Sequence, residues 1–166
     1  PKEYVAIDDF YTTTIYEKGA ELIRMLQLLL GNKRFMKGIK LYIDEFDGSA
    51  ATTEDFVNSI SRGAFSSNEI SPFNIDQFQN WYYKAGTPKV IINQEWDPKN
   101  STLNISFEQE LSSDLDNENS EMVIPILFSC YKTEKEFDPV FEDNLFILDK
   151  QKKQLKIKDS SFRDNP

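Results

Sequence analysis

The chain has 166 residues, room for one medium domain or two small ones, and its 39% hydrophobic and 13% aromatic content excludes a disordered chain. A formal charge of −9 makes nucleic acid and anionic membrane poor partners, because no Lys/Arg run is long enough to track phosphates. There is no histidine at all, which excludes a Ser-His-Asp triad, a Cys-His pair and any His-ligated metal site within these residues.

Residues 14 to 85 read as helices. Thr14 followed by Glu17 has the spacing of a capping box, and behind it Ile15, Gly19, Leu22, Ile23, Leu26, Leu29 and Leu30 recur at three- and four-residue steps. That spacing predicts a helix with a broad buried face, stopped by Gly31. A second helix follows Asn32, with Phe35, Met36, Ile39, Tyr42, Ile43 and Phe46 on one side. "DGSAATTEDF" breaks it and starts a third, capped at Thr52 or Thr53, with Phe56, Val57 and Ile60 inward. "SRGAFSSNEISPF" reads as a polar loop. The fourth helix, "NIDQFQNWYYKAG", carries Phe78, Trp81 and Tyr82 and is expected to end at Gly86.

"GTP" at 86 to 88 marks a change of regime, after which the period drops to two: Val90, Ile92 and Trp96; Leu103, Ile105 and Phe107; Leu155 and Ile157. "DPKN" at 97 to 100 is a turn between the first two strands. "MVIPILFSCY" is a continuous apolar strand in which Pro125 calls for an edge or a bulge. "SSDLDNENSE" at 112 to 121 is acidic and apolar-poor, a loop rather than a core element. "KQKKQLKIK" at 150 to 158 alternates Lys with apolar residues, as a strand does. The expectation is α+β: a helical domain over 1–86 and an incomplete antiparallel β-sandwich over 87–166.

The single cysteine, Cys130, can form no intrachain disulfide, and its apolar neighbours suggest a buried, inert thiol. No apolar run is long enough to cross a bilayer and no signal peptide is visible, so a cytoplasmic home is expected. A chain that starts at Pro1 and stops at "FRDNP" reads as a piece excised from something longer.

Five segments, "YEKGA", "IRM", "LLG", "FMKGIKLYIDEFDGSAATTEDF" and "QFQNWYYKAGTP", run in order between Tyr16 and Pro88. In that order and spacing the chain resembles the aminopeptidase N family of zinc metallopeptidases, in its bacterial alanyl aminopeptidase branch. The resemblance implies the helical C-terminal portion of a thermolysin-like catalytic domain over 1–86, followed by a truncated β-sandwich domain over 87–166. It implies a zinc ion in the parent enzyme, held by H-E-x-x-H and a downstream Glu. It also implies a G-x-M-E-N loop for the substrate's amino terminus. None of these motifs occurs in this chain, so the metal ligands expected here are none.

The resemblance maps Tyr16 onto the tyrosine that stabilises the tetrahedral intermediate. Water attack on a peptide carbonyl creates an oxyanion, and losing one preorganised donor to it typically costs on the order of a hundredfold. A neutral phenol is such a donor, and the first turn of a helix adds the positive end of the dipole. Read alone, Tyr16 would more readily be a half-buried aromatic whose hydroxyl caps a backbone group. Tyr11, in the extended approach to the helix, is expected to line the pocket for the substrate's first side chain, or else to staple the helix start. Glu17 is explained by capping and Lys18 as a solvated charge, neither of them catalytic. The carboxylates of "DEFDG" and "DLDNENSE" lack the spacing of a calcium loop. The patch Trp81, Tyr82 and Tyr83 and the glycines of "GNKRFMKG" read as structural.

The expected function is a fragment of a zinc aminopeptidase that removes amino-terminal residues from peptides, with Ala or other uncharged residues preferred by that branch. The fragment alone is expected to be inactive. Truncated surfaces make its self-association an expectation as well. The alternative is a non-catalytic helical-plus-sandwich module that binds another protein, with the sheet edge as its foothold.

Overall fold

The computed structural model describes residues 5–6, 8, 13–84, 86–110, 121–133 and 136–158. The chain divides into two compact units, Pro1–Ala85 and Gly86–Pro166. Helices α1 (Thr13–Leu30), α2 (Asn32–Phe46), α3 (Thr53–Ala64) and α4 (Ile75–Tyr83) belong to the first. Strands β1 (Lys89–Asp97), β2 (Thr102–Glu110), β3 (Ile124–Thr133), β4 (Glu136–Leu148) and β5 (Lys152–Lys158) belong to the second.

α1 buries Leu22, Leu26, Leu29 and Leu30, one stripe at helical spacing. The stripe is narrower than the sequence suggests, since Ile15 is 37% and Ile23 42% exposed. From Ile15 to Glu21 no residue is buried, so it is the second half of α1 that the core holds. The helix starts at Thr13, which puts Thr14 inside the first turn instead of ahead of it as the capping residue. Gly31 forms the corner between α1 and α2. Its φ of 73° suits a residue without Cβ. Its N–H donates to the Gln27 carbonyl at 2.8 Å, closing α1, and its own carbonyl accepts from Phe35 N at 3.0 Å, opening α2.

α2 and α3 meet through two glycines. A Cβ on Gly38 would lie 2.6 Å from the Ile60 carbonyl oxygen, and one on Gly63 would lie 2.7 Å from Gly38 Cα. The backbones therefore touch directly, and Val57, Ile60 and Ala64 are buried beside the contact. Met36 and Ile43, expected inward on α2, are each 53% exposed, because the inward arc centres on Phe35 and Gly38. Tyr42 meets Phe56 edge-on at 5.0 Å between ring centroids. The α3 start is a full capping box: Thr52 Oγ1 accepts from Asp55 N at 3.1 Å, and Asp55 Oδ2 accepts from Thr52 N at 2.9 Å. α3 also absorbs Ser61–Ala64, which the sequence reads as loop. Gly63 acts there as a packing residue, not as a breaker.

Asn74 caps α4, its Oδ1 accepting from Asp76 N at 2.8 Å and Gln77 N at 3.1 Å. The helix stops at Tyr83, three residues short of the Gly86 that the sequence offers, with Lys84 as its cap. Phe78 is fully buried and lies against Phe73.

In the second unit β1, β2 and β5 form an antiparallel sheet in the order β1-β2-β5, and β3 pairs antiparallel with β4. Leu103, Ile105 and Phe107 of β2, Leu148 of β4 and Ile157 of β5 are the buried centre. Phe107 and Phe146 stack at 4.4 Å between the two sheets. Ile92, expected inward, is 54% exposed, while Val90 and Trp96 pack on the core. The β1–β2 connection is the anticipated turn: Asp97 Oδ1 accepts from Lys99 N at 3.0 Å and Asn100 N at 3.2 Å. Pro125 sits opposite Ile147 on a strand with one neighbour among the described residues, and the irregular pairing falls later, between Phe128 and Thr133. β4 is a strand the sequence reading does not assign.

Among the described residues of this unit one polar side chain is buried. Gln109 is 2% exposed and continues the inward alternation of β2. Its Nε2 donates to the carbonyls of Met122 (3.2 Å) and Lys150 (3.0 Å), and its Oε1 accepts from Met122 N at 2.9 Å. A single amide thus joins the end of β2 to the segment before β3 and to the β4–β5 turn.

Candidate functional site

Tyr16 is the fourth residue of α1 and is 59% exposed. The first four amide N–H groups of a helix have no partner within it and carry the positive end of its dipole. No acidic residue lies in that first turn to neutralise it. Tyr16 thus stands exposed at the end of a first turn that holds no acidic residue. The neighbouring Glu17 is exposed.

Lys18 is not the solvated charge that the sequence suggests. It is half-buried, and its Nζ donates to the carbonyl of Lys84 at 3.4 Å. Desolvation pushes its pKa below the usual lysine value. Tyr11, Thr12 and the side chain of Thr14 lie outside the described residues.

The remaining candidates are absorbed by structure. Asp44 pairs with Lys40 at 2.8 Å. Glu45 accepts from both terminal nitrogens of Arg62, at 2.9 and 2.6 Å, and from the buried Ser59 hydroxyl at 2.7 Å. In "GNKRFMKG", Arg34 pairs with Glu69 and the glycines serve the corner and the helix contact. Trp81 and Tyr82 are half-buried, and burial raises the Tyr82 phenol pKa. Tyr83 is exposed and its hydroxyl donates to Glu54 Oε1 at 2.7 Å, a link from α4 to α3 that no periodicity announces. The Cys130 thiol is half-buried and its pKa is raised by desolvation, as suits an inert thiol. The "DLDNENSE" stretch, but for Glu121, lies outside the described residues. Among the described residues no three Cys, Asp or Glu side chains gather as a metal site would need. No described helix is long and apolar enough to cross a membrane.

Residues 1–82 match the Peptidase family M1 domain, and residues 86–164 match a domain of unknown function (DUF3458) with an Ig-like fold. Aminopeptidase N of Haemophilus influenzae is 39% identical over 132 residues, 79% of this chain and 14% of that protein. Aminopeptidase N of Escherichia coli is 34% identical over 141 residues, 84% of this chain and 15% of that protein. The crystal structure of Legionella pneumophila aminopeptidase A in complex with aspartic acid superposes with a TM-score of 0.76 at 25% identity, over 93% of this chain and 16% of that one. The chain spans about one-seventh of the length of these relatives. Two adjoining matches that run from residue 1 to residue 164, together with relatives that are aminopeptidases along most of the chain, lead to one assignment: the chain belongs to the M1 peptidase family, spanning part of its peptidase domain and the Ig-like domain that follows.

Proposed function

We propose that this chain is the part of a metallo-aminopeptidase that carries the oxyanion donor. The parent cleaves the first residue, preferably Ala or another uncharged one, from peptides in the cytoplasm, and Tyr16 donates its phenolic hydrogen to the oxygen on which negative charge develops. The observation that carries this reading is an exposed tyrosine on a helix turn free of carboxylates, within the segment that matches the peptidase family. A fixed donor of that kind stabilises the transition state more than the ground state, so it acts on kcat more than on KM.

The zinc of the parent is assigned to residues outside these 166. The described carboxylates do not form a ligand set, and several are engaged in ion pairs. By this reading the isolated chain is inactive. A second reading, a protein-binding module, draws on the exposed Leu127, Leu145 and Tyr131 of the β3–β4 sheet, with Leu127 directly opposite Leu145.

The deciding experiment is Tyr16→Phe in the full-length enzyme. The catalytic reading expects kcat to fall on the order of a hundredfold or more with KM little changed and the fold intact. Turnover retained by a folded Tyr16→Phe enzyme would refute it and leave the binding-module reading in the lead.

A further inference from the structure

Lys18 is two residues from Tyr16, and on an α-helix that offset points the two side chains about 200° apart. Tyr16 is exposed while Lys18 turns inward and is half-buried. Its ammonium reaches the carbonyl of Lys84, the capping residue of α4. The last carbonyls of a helix lack partners within it and carry the negative end of its dipole, so a cation is the group that suits them. In this stretch of α1 Lys18 and Gly19 are half-buried and the other residues from Ile15 to Glu21 are exposed. We propose that Lys18 is a positioning residue for Tyr16: its bond to the C-terminal end of α4 fixes the first turns of α1 and with them the direction in which the phenol is offered. The proposal rests on the reading of Tyr16 as the oxyanion donor. The lowered pKa of Lys18 fits a charge placed at a cost in desolvation, not one left in water.

The test is a double-mutant cycle in the full-length enzyme. Lys18→Met keeps most of the aliphatic stem and removes the donor, Lys18→Arg keeps a cationic donor, and both are made with Tyr16 and with Tyr16→Phe. Misplacing a catalytic group by about 1 Å costs up to a hundredfold, so Lys18→Met is expected to lower kcat roughly ten- to a hundredfold, with KM little changed. Lys18→Arg is expected to restore most of the loss. In the Tyr16→Phe enzyme, Lys18→Met is expected to change kcat by less than about twofold, because the group it positions has already lost its hydroxyl. An equal loss in both backgrounds, an unchanged kcat, or a loss that Arg does not rescue and that tracks a lower melting temperature would each overturn the proposal. Should Lys18→Met not fold, Lys18→Leu, which also removes the donor, takes its place in the same cycle. The Tyr16→Phe arm reports separately on the underlying reading: if it leaves turnover intact, Tyr16 is not the donor and Lys18 has nothing to position.

Discussion

Gly38→Ala is the substitution that tests the helical core most sharply. In an ordinary helix interior, Ala is favoured over Gly by about 1 kcal/mol, so propensity alone predicts stabilisation. The structure predicts the reverse. The new Cβ would stand 2.6 Å from the Ile60 carbonyl oxygen, 2.7 Å from Ile60 Cα and 3.0 Å from Ile60 C. All three atoms are backbone, so no side chain can swing aside, and α2 and α3 must separate. Overpacking of this kind costs about 1–3 kcal/mol, and the rigid neighbour puts it at the upper end. Separation also loosens the packing around Val57 and Ile60, both fully buried. Set against the propensity gain, the net loss is about 1–2 kcal/mol. Gly19→Ala in α1 is the control, since an added Cβ there would meet nothing within 4 Å and only the propensity gain of about 1 kcal/mol applies. Gly63→Ala strikes the same contact from the other side, so the double variant should cost less than the sum of the singles. Urea unfolding followed at 222 nm, where the helices dominate, gives all four values. A Gly38→Ala midpoint as high as that of Gly19→Ala would refute the close contact.

Gln109→Leu removes one buried amide and strands the Met122 N–H together with the carbonyls of Met122 and Lys150. It is expected to destabilise the sandwich by about 3 kcal/mol, read from the fluorescence of Trp96 during denaturation, and an unchanged midpoint would contradict this. Two carboxyls, Glu54 and Glu69, set an acid limit on the helical unit. The Tyr83 hydroxyl holds the Glu54 pKa down to about 2, and the Ser66 backbone N–H, with Arg34, does the same for Glu69. Because both pKa values are depressed in the folded state, the stability they give is present above the ordinary value of 4.5 and is lost as the pH falls towards 2. Melting temperatures across that window should fall less steeply for Glu54→Gln and Glu69→Gln than for the wild type; parallel curves would count against the two hydrogen-bond networks.

The four helices are legible in the sequence because their punctuation is chemical: Thr52 and Asn74 have side chains that cap, and Gly31 has the φ freedom that a corner needs. The extent of α3 is not legible, because Gly63 looks the same in a sequence whether it breaks a helix or lets another one close upon it. β4 escapes for a related reason. Asp138, Pro139, Glu142 and Asp143 interrupt the alternation that identifies a strand, yet the backbone pairs with β3 across them. At the candidate site Tyr16 is singled out by family resemblance, for periodicity treats it as one more aromatic. Lys18 reads as solvated because nothing local shows that Lys84, sixty-six residues away, brings a carbonyl within reach. Gln109 does carry a signal in the sequence, its place in the inward series 103, 105, 107.

The single-residue corner at Gly31 has a mechanical consequence. With no loop between them, α1 and α2 behave as two arms of one bracket, and Tyr16 rides near the far end of the longer arm. At 1.5 Å per residue the fifteen steps from Gly31 to Tyr16 make a lever of about 22 Å, on which a pivot error of about 3° swings the phenol by about 1 Å. For the oxyanion donor proposed above, that swing already exceeds the tolerance of about 0.5 Å within which catalytic geometry must be held. A substitution at the pivot could therefore silence a hydroxyl it never approaches, while leaving every contact around that hydroxyl chemically unaltered.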